Sequence, residues 1–261
     1  MNDPSPADRR ASLTRAAVFL GVLALASTLA SGVVAAGIAS YYPLRVGNAW
    51  FYTTEKHTKI MHGFEVQETE KLGTIERRVV GPSRLSTKAL KVFEVRNTVE
   101  EHASGIAPVG TLETILHISS SPSAVLLHAV DASKGAIGPT LEKPVSILHD
   151  PPATGPLTSQ VGTLTMSATV KSHTVEAIEV PAGKFPKALK KFAEGPISGE
   201  LSGMRVRSGT VQEIAWFVRD VGLVKQERLL DITLRASDGD EFKLSERAEQ
   251  VLQKFSPGKS D

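Results

Sequence analysis

The sequence predicts an all-β fold, an antiparallel half-barrel or sandwich built from two similar halves with few or no helices. Three observations carry this reading. Leu164, Met166, Ala168 and Val170 alternate with polar residues at a period of two, the spacing of a half-buried strand. Turn-forming clusters such as Gly47-Asn48, Ser119 to Ser123 and Asp238-Gly239 separate segments rich in β-branched and aromatic residues. Two stretches offset by about 100 residues carry the same landmarks in the same order.

The first element is not part of that fold. Arg9, Arg10 and Arg15 precede an uncharged run from Ala16 to Leu44 whose apolar part, Ala16 to Ala39, is rich in Ala, Val and Leu. A basic start, an apolar middle and small residues at the end describe a secretory signal, with cleavage after Ala36 or Ala39. The apolar run is about 24 residues, also long enough to cross a bilayer as a retained anchor. Either way residues 41–255 are expected outside the cytoplasm, touching membrane only through the N-terminal segment. Arg9-Arg10 is followed by Ser12-Leu13, so a twin-arginine signal is matched only at Leu13.

The exported part is one all-β domain, 41–255, with halves at about 41–131 and 156–255, a linker at 132–155 and a tail at 256–261. Tyr41 to Asn48 enters as an extended segment ending in a Gly-Asn turn. Trp50 to Glu55 is a strand, Phe64 to Val80 one strand or two, and Leu90 to Val99 the next. Leu112 to Ile118 and Ala124 to Val130 form a hairpin about the Ser-Pro loop. Pro151-Pro152 lies within the linker. A strand, a Pro181-Ala182-Gly183 turn and a return strand follow, then strands over Val211 to Val218 and Leu223 to Leu234. Phe242 to Arg247 is a strand, and Leu244, Ala248, Val251, Leu252 and Phe255 also fit a helical stripe, so a helical turn near the end is an alternative.

The internal repeat aligns Thr74-Ile75-Glu76 with Thr174-Val175-Glu176, and Lys88-Ala89-Leu90-Lys91 with Lys187-Ala188-Leu189-Lys190. It also aligns Glu113 with Glu213 and Asp131 with Asp231. Each half alone would leave an apolar face in water, and together they close a core.

Composition excludes several functions. The chain has 261 residues, 41% hydrophobic, and no cysteine. That removes disulfides, thiolate catalysis and cysteine zinc sites. Net charge is +2, and residues 41–261 hold 27 basic against 26 acidic residues. Such a balance offers no field for nucleic acid.

Tyr42-Pro43-Leu44-x-Val46-Gly47-Asn48-x-Trp50-x-Tyr52, Val180-Pro181-Ala182-Gly183-x-Phe185, and Trp216-Phe217 leading to Val221-Gly222-Leu223-Val224-Lys225 form a joint pattern. It resembles an uncharacterised family of exported bacterial β proteins, similar to half-barrels of the lipoprotein-localisation-factor type. The resemblance covers about 180 residues. It implies fold and location; its motifs are structural. The chain departs from the family in having Arg219-Asp220 before Val221 and no cysteine for a lipid anchor.

Candidate chemistry is sparse. Seven histidines include no His-x-His, and pairing about the Ser-Pro loop predicts His117 near Ala124 and His128 near Glu113, so no metal site is expected. His57 and His62 are expected to flank a loop. His149-Asp150 lacks a nucleophile elbow, and Asp238 to Glu241 is a hairpin turn rather than a calcium loop. Lys184, Lys187, Lys190 and Lys191 read as the lysines of a solvated edge strand, or as a positive rim for lipid headgroups. Trp50, Tyr52, Trp216 and Phe217 either fill the core or, with Lys187 and Lys190, line a ligand site. The expected function is a non-catalytic exported envelope protein, without cofactor, that binds a lipid or apolar ligand in a concave sheet. The alternative is a structural or interaction module of an envelope assembly with a protein partner.

Overall fold

The computed structural model describes residues 37–103, 110–132, 140–149, 157–161 and 163–258. They form one 3-10 turn, Ile38–Tyr41, and twelve strands. The strands are β1 Ala49–His62, β2 Glu65–Pro82, β3 Val92–Ala103, β4 Gly110–Ser120, β5 Ala124–Ala132 and β6 Thr140–His149. The second set is β7 Leu157–Val161, β8 Leu164–Val180, β9 Gly183–Leu201, β10 Met204–Val218, β11 Gly222–Arg235 and β12 Glu241–Ser256. Among the described residues there is no α-helix. The all-β half-barrel that the alternation implies is the fold.

The strands follow in the order β6-β5-β4-β3-β2-β1-β12-β11-β10-β9-β8-β7, every paired neighbour antiparallel. Each half is thus a six-strand meander, and the two meanders join through β1 and β12. The sheet's edges, β6 and β7, are consecutive in the chain and approach one another. The sheet therefore curls almost into a closed up-and-down barrel with a seam at one place.

Register separates two faces. Trp50, Tyr52, Lys56 and Ile60 of β1 share a face with Arg77, Ile75 and Lys71 of β2, and with Leu252 and Leu244 of β12. This is the inner face. It holds two apolar clusters. One, at the end where β1 starts, includes Trp50, Val79, Val95, Leu116, Ile118, Leu127 and Leu189. The other, at the far end of the second half, includes Ile60, Leu164, Leu230, Ile232, Phe242 and Leu244.

Residues 37–48 form a strap across the first end. The Ile38 N–H donates to Pro122 O (2.8 Å) in the β4–β5 turn, and Ser40 O accepts from the Asp220 N–H (2.6 Å) in the β10–β11 turn. These turns belong to opposite halves, so the strap ties one half to the other. Tyr42 lies against Trp50, ring centroids 6.3 Å apart. The Gly47-Asn48 turn forms as expected: Gly47 has φ 87°, and the Asn48 amide donates to Pro43 O while its carbonyl accepts from the Gly258 N–H.

Several expectations are corrected. Residues 140–149 of the proposed linker are strand β6, because Val145, Ile147 and Leu148 bury themselves against the sheet; Pro151-Pro152 lies outside the described residues. The segment Glu241–Ser256 is strand throughout, with no helical turn, since β12 pairs with β1 up to Ser256. His57 and His62 are both on β1 with no loop between them. The Lys184–Lys191 stretch is not an edge: β9 pairs with both β8 and β10. Ile38 is buried, so the packed domain begins before residue 41; residues 1–36 lie outside the described residues.

The repeat pairs fall on strands of matching rank for Thr74 and Thr174 (β2, β8), Glu113 and Glu213 (β4, β10), and Asp131 and Asp231 (β5, β11). The match stops at the residue level. Lys88 to Leu90 lie in the β2–β3 loop, whereas Lys187 to Lys190 lie within β9. Glu113 is half-exposed beside Arg96, and Glu213 is buried beside Lys191.

The two long strands β8 and β9 pack so closely that a Cβ at Gly195 would lie 1.9 Å from Ser167 O. Neither is a flexible side-chain tip, so the backbones would have to part. Gly195→Ala is expected to lower the unfolding free energy by about 1–3 kcal/mol in urea titrations. Gly81→Ala, where nothing lies within 4 Å, should stay within about 0.5 kcal/mol.

Candidate functional site

Between its two apolar ends the inner face is charged. Strand alternation places polar residues in the phase that elsewhere carries apolar ones: Ile75-Arg77-Val79 on β2, Leu189-Lys191-Ala193 on β9, Leu230-Arg228 on β11, Leu244-Glu246 on β12. Lys71 Nζ meets Glu101 Oε2 at 3.2 Å, and Lys56 Nζ lies 3.9 Å from both Glu101 and Glu246. Arg228 Nη2 donates to Glu246 Oε1 at 2.7 Å. A chain of ion pairs thus crosses β3, β2, β1, β12 and β11. Burial, the dominant cause, lowers the Lys56 pKa despite the opposing fields of Glu246 and Glu101.

A second pair stands apart from this chain. Lys191, 1% exposed, donates to Glu213 Oε1 at 2.6 Å. Burial lowers the Lys191 pKa, and the Glu213 carboxylate opposes that shift by charge and hydrogen bond. His173 faces Lys191 across β8 and β9. Burial first, then the Lys191 charge, lowers His173 to about 4.

A third group forms a row across one register: Trp50, Arg77, Asn97 and Thr114 are successive partners on β1, β2, β3 and β4. Arg77 Nε donates to Asn97 Oδ1 at 2.9 Å, and its guanidinium lies 5.3 Å from the Tyr52 ring centroid. Arg77 Nη1 and Nη2, Thr114 Oγ1 and the Tyr42 hydroxyl are buried without a hydrogen-bond partner. Among the described residues no carboxylate reaches Arg77.

The residues singled out from the sequence divide between the two faces. Trp50 and Tyr52 are inside and buried, and both polar tips are engaged by the chain itself. The Trp50 indole N–H donates to Val221 O, and the Tyr52 hydroxyl donates to Leu223 O at 3.0 Å. Phe217 is buried in the same cluster. Trp216 points to the opposite face, where its N–H donates to Glu176 Oε1 (2.8 Å) and Lys190 and Lys225 lie over its ring at 5.4 and 5.5 Å. Lys187 is exposed and apart from these. The structure gathers Trp50, Tyr52, Trp216 and Phe217 into one buried cluster, sets Lys190 over the Trp216 ring and leaves Lys187 apart.

The outer face of the first half carries an arrangement that was not foreseen. Ser83 Oγ lies 2.6 Å from His117 Nδ1, His117 Nε2 lies 3.0 Å from Asp131 Oδ2, and Arg84 Nη2 donates to both Asp131 oxygens at 3.0 Å. A β-bulge after His117 shifts the β4–β5 register, so His117 faces Ala129 rather than Ala124. Burial first, then nearby His117, lowers the His128 pKa. The order Ser–His–Asp matches a nucleophile relay. Yet Ser83 Oγ also accepts the Leu85 N–H (3.0 Å), and both Ser83 and His117 are buried. The group fastens the β2–β3 loop over β4 and β5. Glu55, His57 and Glu70 form an exposed cluster on the outer face of β1 and β2 with carboxylate and imidazole atoms close enough for one ion, and among the described residues no fourth ligand joins them.

The fold and site together define a curled all-β half-barrel with a polar belt inside. No protein-family model matches the chain, and no curated protein matches it in sequence. Among solved structures it is similar to a candidate lipoprotein from Parabacteroides distasonis, at 11% identity and TM-score 0.36, covering 86% of this chain and 100% of that one. It is similar also to the S-type phycobiliprotein lyase CPES of Guillardia theta, at 10% identity and TM-score 0.35, covering 87% and 96%. The outer membrane protein Omp33 of Acinetobacter baumannii matches at 8% and TM-score 0.27, covering 80% and 100%. Likenesses this distant describe extended antiparallel sheet and carry no shared activity.

Two outcomes follow from the buried charges. Glu213→Leu alone should destabilise by about 3–5 kcal/mol, and adding Lys191→Met should recover most of that, read by denaturant midpoints. His173 has a folded-state pKa below its unfolded value, so the unfolded chain takes up its proton first. Stability should be full above about pH 6.5 and fall as pH drops toward 4. His173→Gln should flatten the thermal midpoint across that window.

Proposed function

We propose that this chain is a non-catalytic protein of the cell envelope, exported by its N-terminal segment, that holds an amphiphilic lipid-like ligand against the inner face of the half-barrel. One observation carries the reading. The inner face is apolar at both ends and charged between them, a pattern that serves a molecule with an apolar body and a polar group better than it serves packing alone. The strap supports it further, because it covers the apolar end, with Ile38, Tyr41, Tyr42 and Leu44 packed into the same cluster and its backbone tied to turns of both halves. No cofactor enters this reading. The Ser83 hydroxyl is engaged and covered, and the inner belt offers charge pairs rather than a nucleophile beside a base.

The alternative, an interaction module, has its own support. At the tip of the β1–β2 hairpin Phe64 is fully exposed and Val66 is 54% exposed. Such apolar residues at a hairpin tip suit contact with another envelope protein.

Native mass spectrometry of the full chain, expressed with its own export segment and purified from the host envelope, tests the first reading. Bound mass that is lost on organic extraction and regained on mixing with envelope lipids is the expected result. A chain found only at its own mass, which after extraction takes up neither lipid extract nor a fluorescent fatty probe, would sink it. Loss of Phe64-dependent crosslinks to a second protein in Phe64→Ser would then favour the module. If the N-terminus is trimmed, its intact mass should place the cut after Ala36, since cleavage after Ala39 removes the packed Ile38.

A further inference from the structure

The buried cations of the inner face are not equally provided for. Lys56 and Lys71 share Glu101, Lys56 and Arg228 share Glu246, and Lys191 has Glu213. Arg77 is as deeply buried as Lys191, 1% exposed, and among the described residues its side-chain partners are neutral: the amide oxygen of Asn97 and the face of the Tyr52 ring. A guanidinium held in an apolar surround without a counter-charge costs several kcal/mol. Apolar side chains in the same register would relieve that cost. The flanking residues of β2, Ile75 and Val79, are of that kind.

The neighbours of Arg77 are also short of partners, and in a consistent sense. Its two terminal nitrogens are donors. The Tyr42 hydroxyl and Thr114 Oγ1 can donate as well, and all are buried without a hydrogen bond. The unsatisfied groups of this row, and of Tyr42 packed on Trp50, are therefore donors or hydroxyls, with no acid among them. Beyond the row on the same face stand Val95, Val79, Leu116, Ile118 and Leu127, all at most 3% exposed. A fork of two N–H groups matches the paired oxygens of a carboxylate or the oxygens of a phosphate monoester. The apolar wall next to it matches an acyl or alkyl chain.

We infer that Arg77 is the anchor for the anionic head of a single-chain amphiphile, a fatty carboxylate or alkyl phosphate, whose tail lies along the apolar end of the half-barrel. This rests on the ligand-binding reading above and names its ligand class. The head reaches Arg77 when the strap 37–48 lifts, because Tyr42 and Trp50 cover that end of the row. The oxyanion then supplies the charge that the protein does not. Asn97 holds the fork's direction; no covalent step is involved.

The test uses the full chain freed of lipid by extraction, with tryptophan fluorescence and displacement of a neutral naphthylamine dye as readouts. Hexadecanoate, hexadecyl phosphate, hexadecan-1-ol, acetate and inorganic phosphate are the probes, compared in wild type, Arg77→Met and Arg77→Lys. The expected result is that the two anionic amphiphiles bind about ten- to a hundredfold more tightly than the alcohol. Carboxylate against phosphate then decides which head is preferred. Arg77→Met should bind all three tailed probes as weakly as wild type binds the alcohol, and Arg77→Lys should keep part of the preference. With the counter-charge problem removed, unliganded Arg77→Met should also melt at the wild-type temperature or above it, an outcome opposite to that of a residue needed for packing. Equal binding of acid and alcohol by wild type, or an undiminished preference in Arg77→Met, overturns the anchor and leaves the ligand-binding reading standing. Binding of acetate or phosphate as tight as that of the tailed acids overturns the amphiphile. Binding of none of the tailed probes overturns both readings, and an Arg77→Met chain that melts well below wild type assigns Arg77 to packing.

Discussion

The pairing of β1 with β12 is the contact on which the rest of the molecule depends. Every other strand pair joins neighbours in the chain, so each meander can form from local hairpins. Only β1 and β12 bring together residues about 200 positions apart, as Trp50 does with Phe255. Without it the two meanders would each expose an apolar face. With it they become one sheet, the curl is set by the accumulated strand twist, and the strap can span from the β4–β5 turn to the β10–β11 turn. The strap begins immediately before β1, which explains how a short segment can reach both halves. Its Tyr42 and the Asn48 side chain are tied at the very junction, to Trp50 and to Gly258 beyond β12.

The same junction governs the electrostatics. The ion-pair chain from Lys71 through Glu101, Lys56 and Glu246 to Arg228 runs across β1 and β12, so its acids and bases come from both halves. Lys56 belongs to the first half and its partner Glu246 to the second. Buried ion pairs add little net stability compared with apolar packing. What they add here is register. A one-residue slip of β12 against β1 would turn Glu246 outward and take from Lys56 and Arg228 the carboxylate they share. The polar belt and the long-range pairing thus enforce one another.

Much of the architecture was legible in the sequence and some of the chemistry was not. Alternation at Leu164 to Val170 and the Pro181-Ala182-Gly183 and Asp238-Gly239 turns are local signals, and they locate strands and hairpins directly. The end of β12 was ambiguous because Leu244, Ala248 and Leu252 satisfy both periods, and only the partner strand decides between them. Residues 140–149 lack a strong pattern, and burial of Val145 and Ile147 against β5 makes them a strand. The aromatic candidates were conspicuous but spread over two faces, since Trp216 and Phe217 are adjacent on one strand and must point apart. The buried charges do leave a trace in the alternation. Arg77 between Ile75 and Val79, and Lys191 between Leu189 and Ala193, are charged residues in the apolar phase of an alternating strand. Lysines clustered at 184–191 looked like one solvated run, although strand geometry sends Lys190 and Lys191 to opposite faces. The Ser83, His117 and Asp131 group had no such trace, because a loop and a bulge assemble it.

Charges in the apolar phase have two explanations, and the partners distinguish them. Where a cation meets a carboxylate, as Lys191 meets Glu213, the pair is self-sufficient and can be read as specificity of pairing. Where it meets only neutral groups, as Arg77 meets the Asn97 amide and the Tyr52 ring, the protein carries a cost that no carboxylate among the described residues offsets. Stability alone would favour an aliphatic residue there, since both flanking positions of the same strand already hold one. A residue kept against its own stability cost is best explained by a bound state in which the cost disappears. The position supports the same inference, because Arg77 sits where the charged belt gives way to the apolar end, in the row whose Trp50 is packed by Tyr42 of the strap. A head group bound there would meet donors, and its tail would meet the wall that the strap now covers.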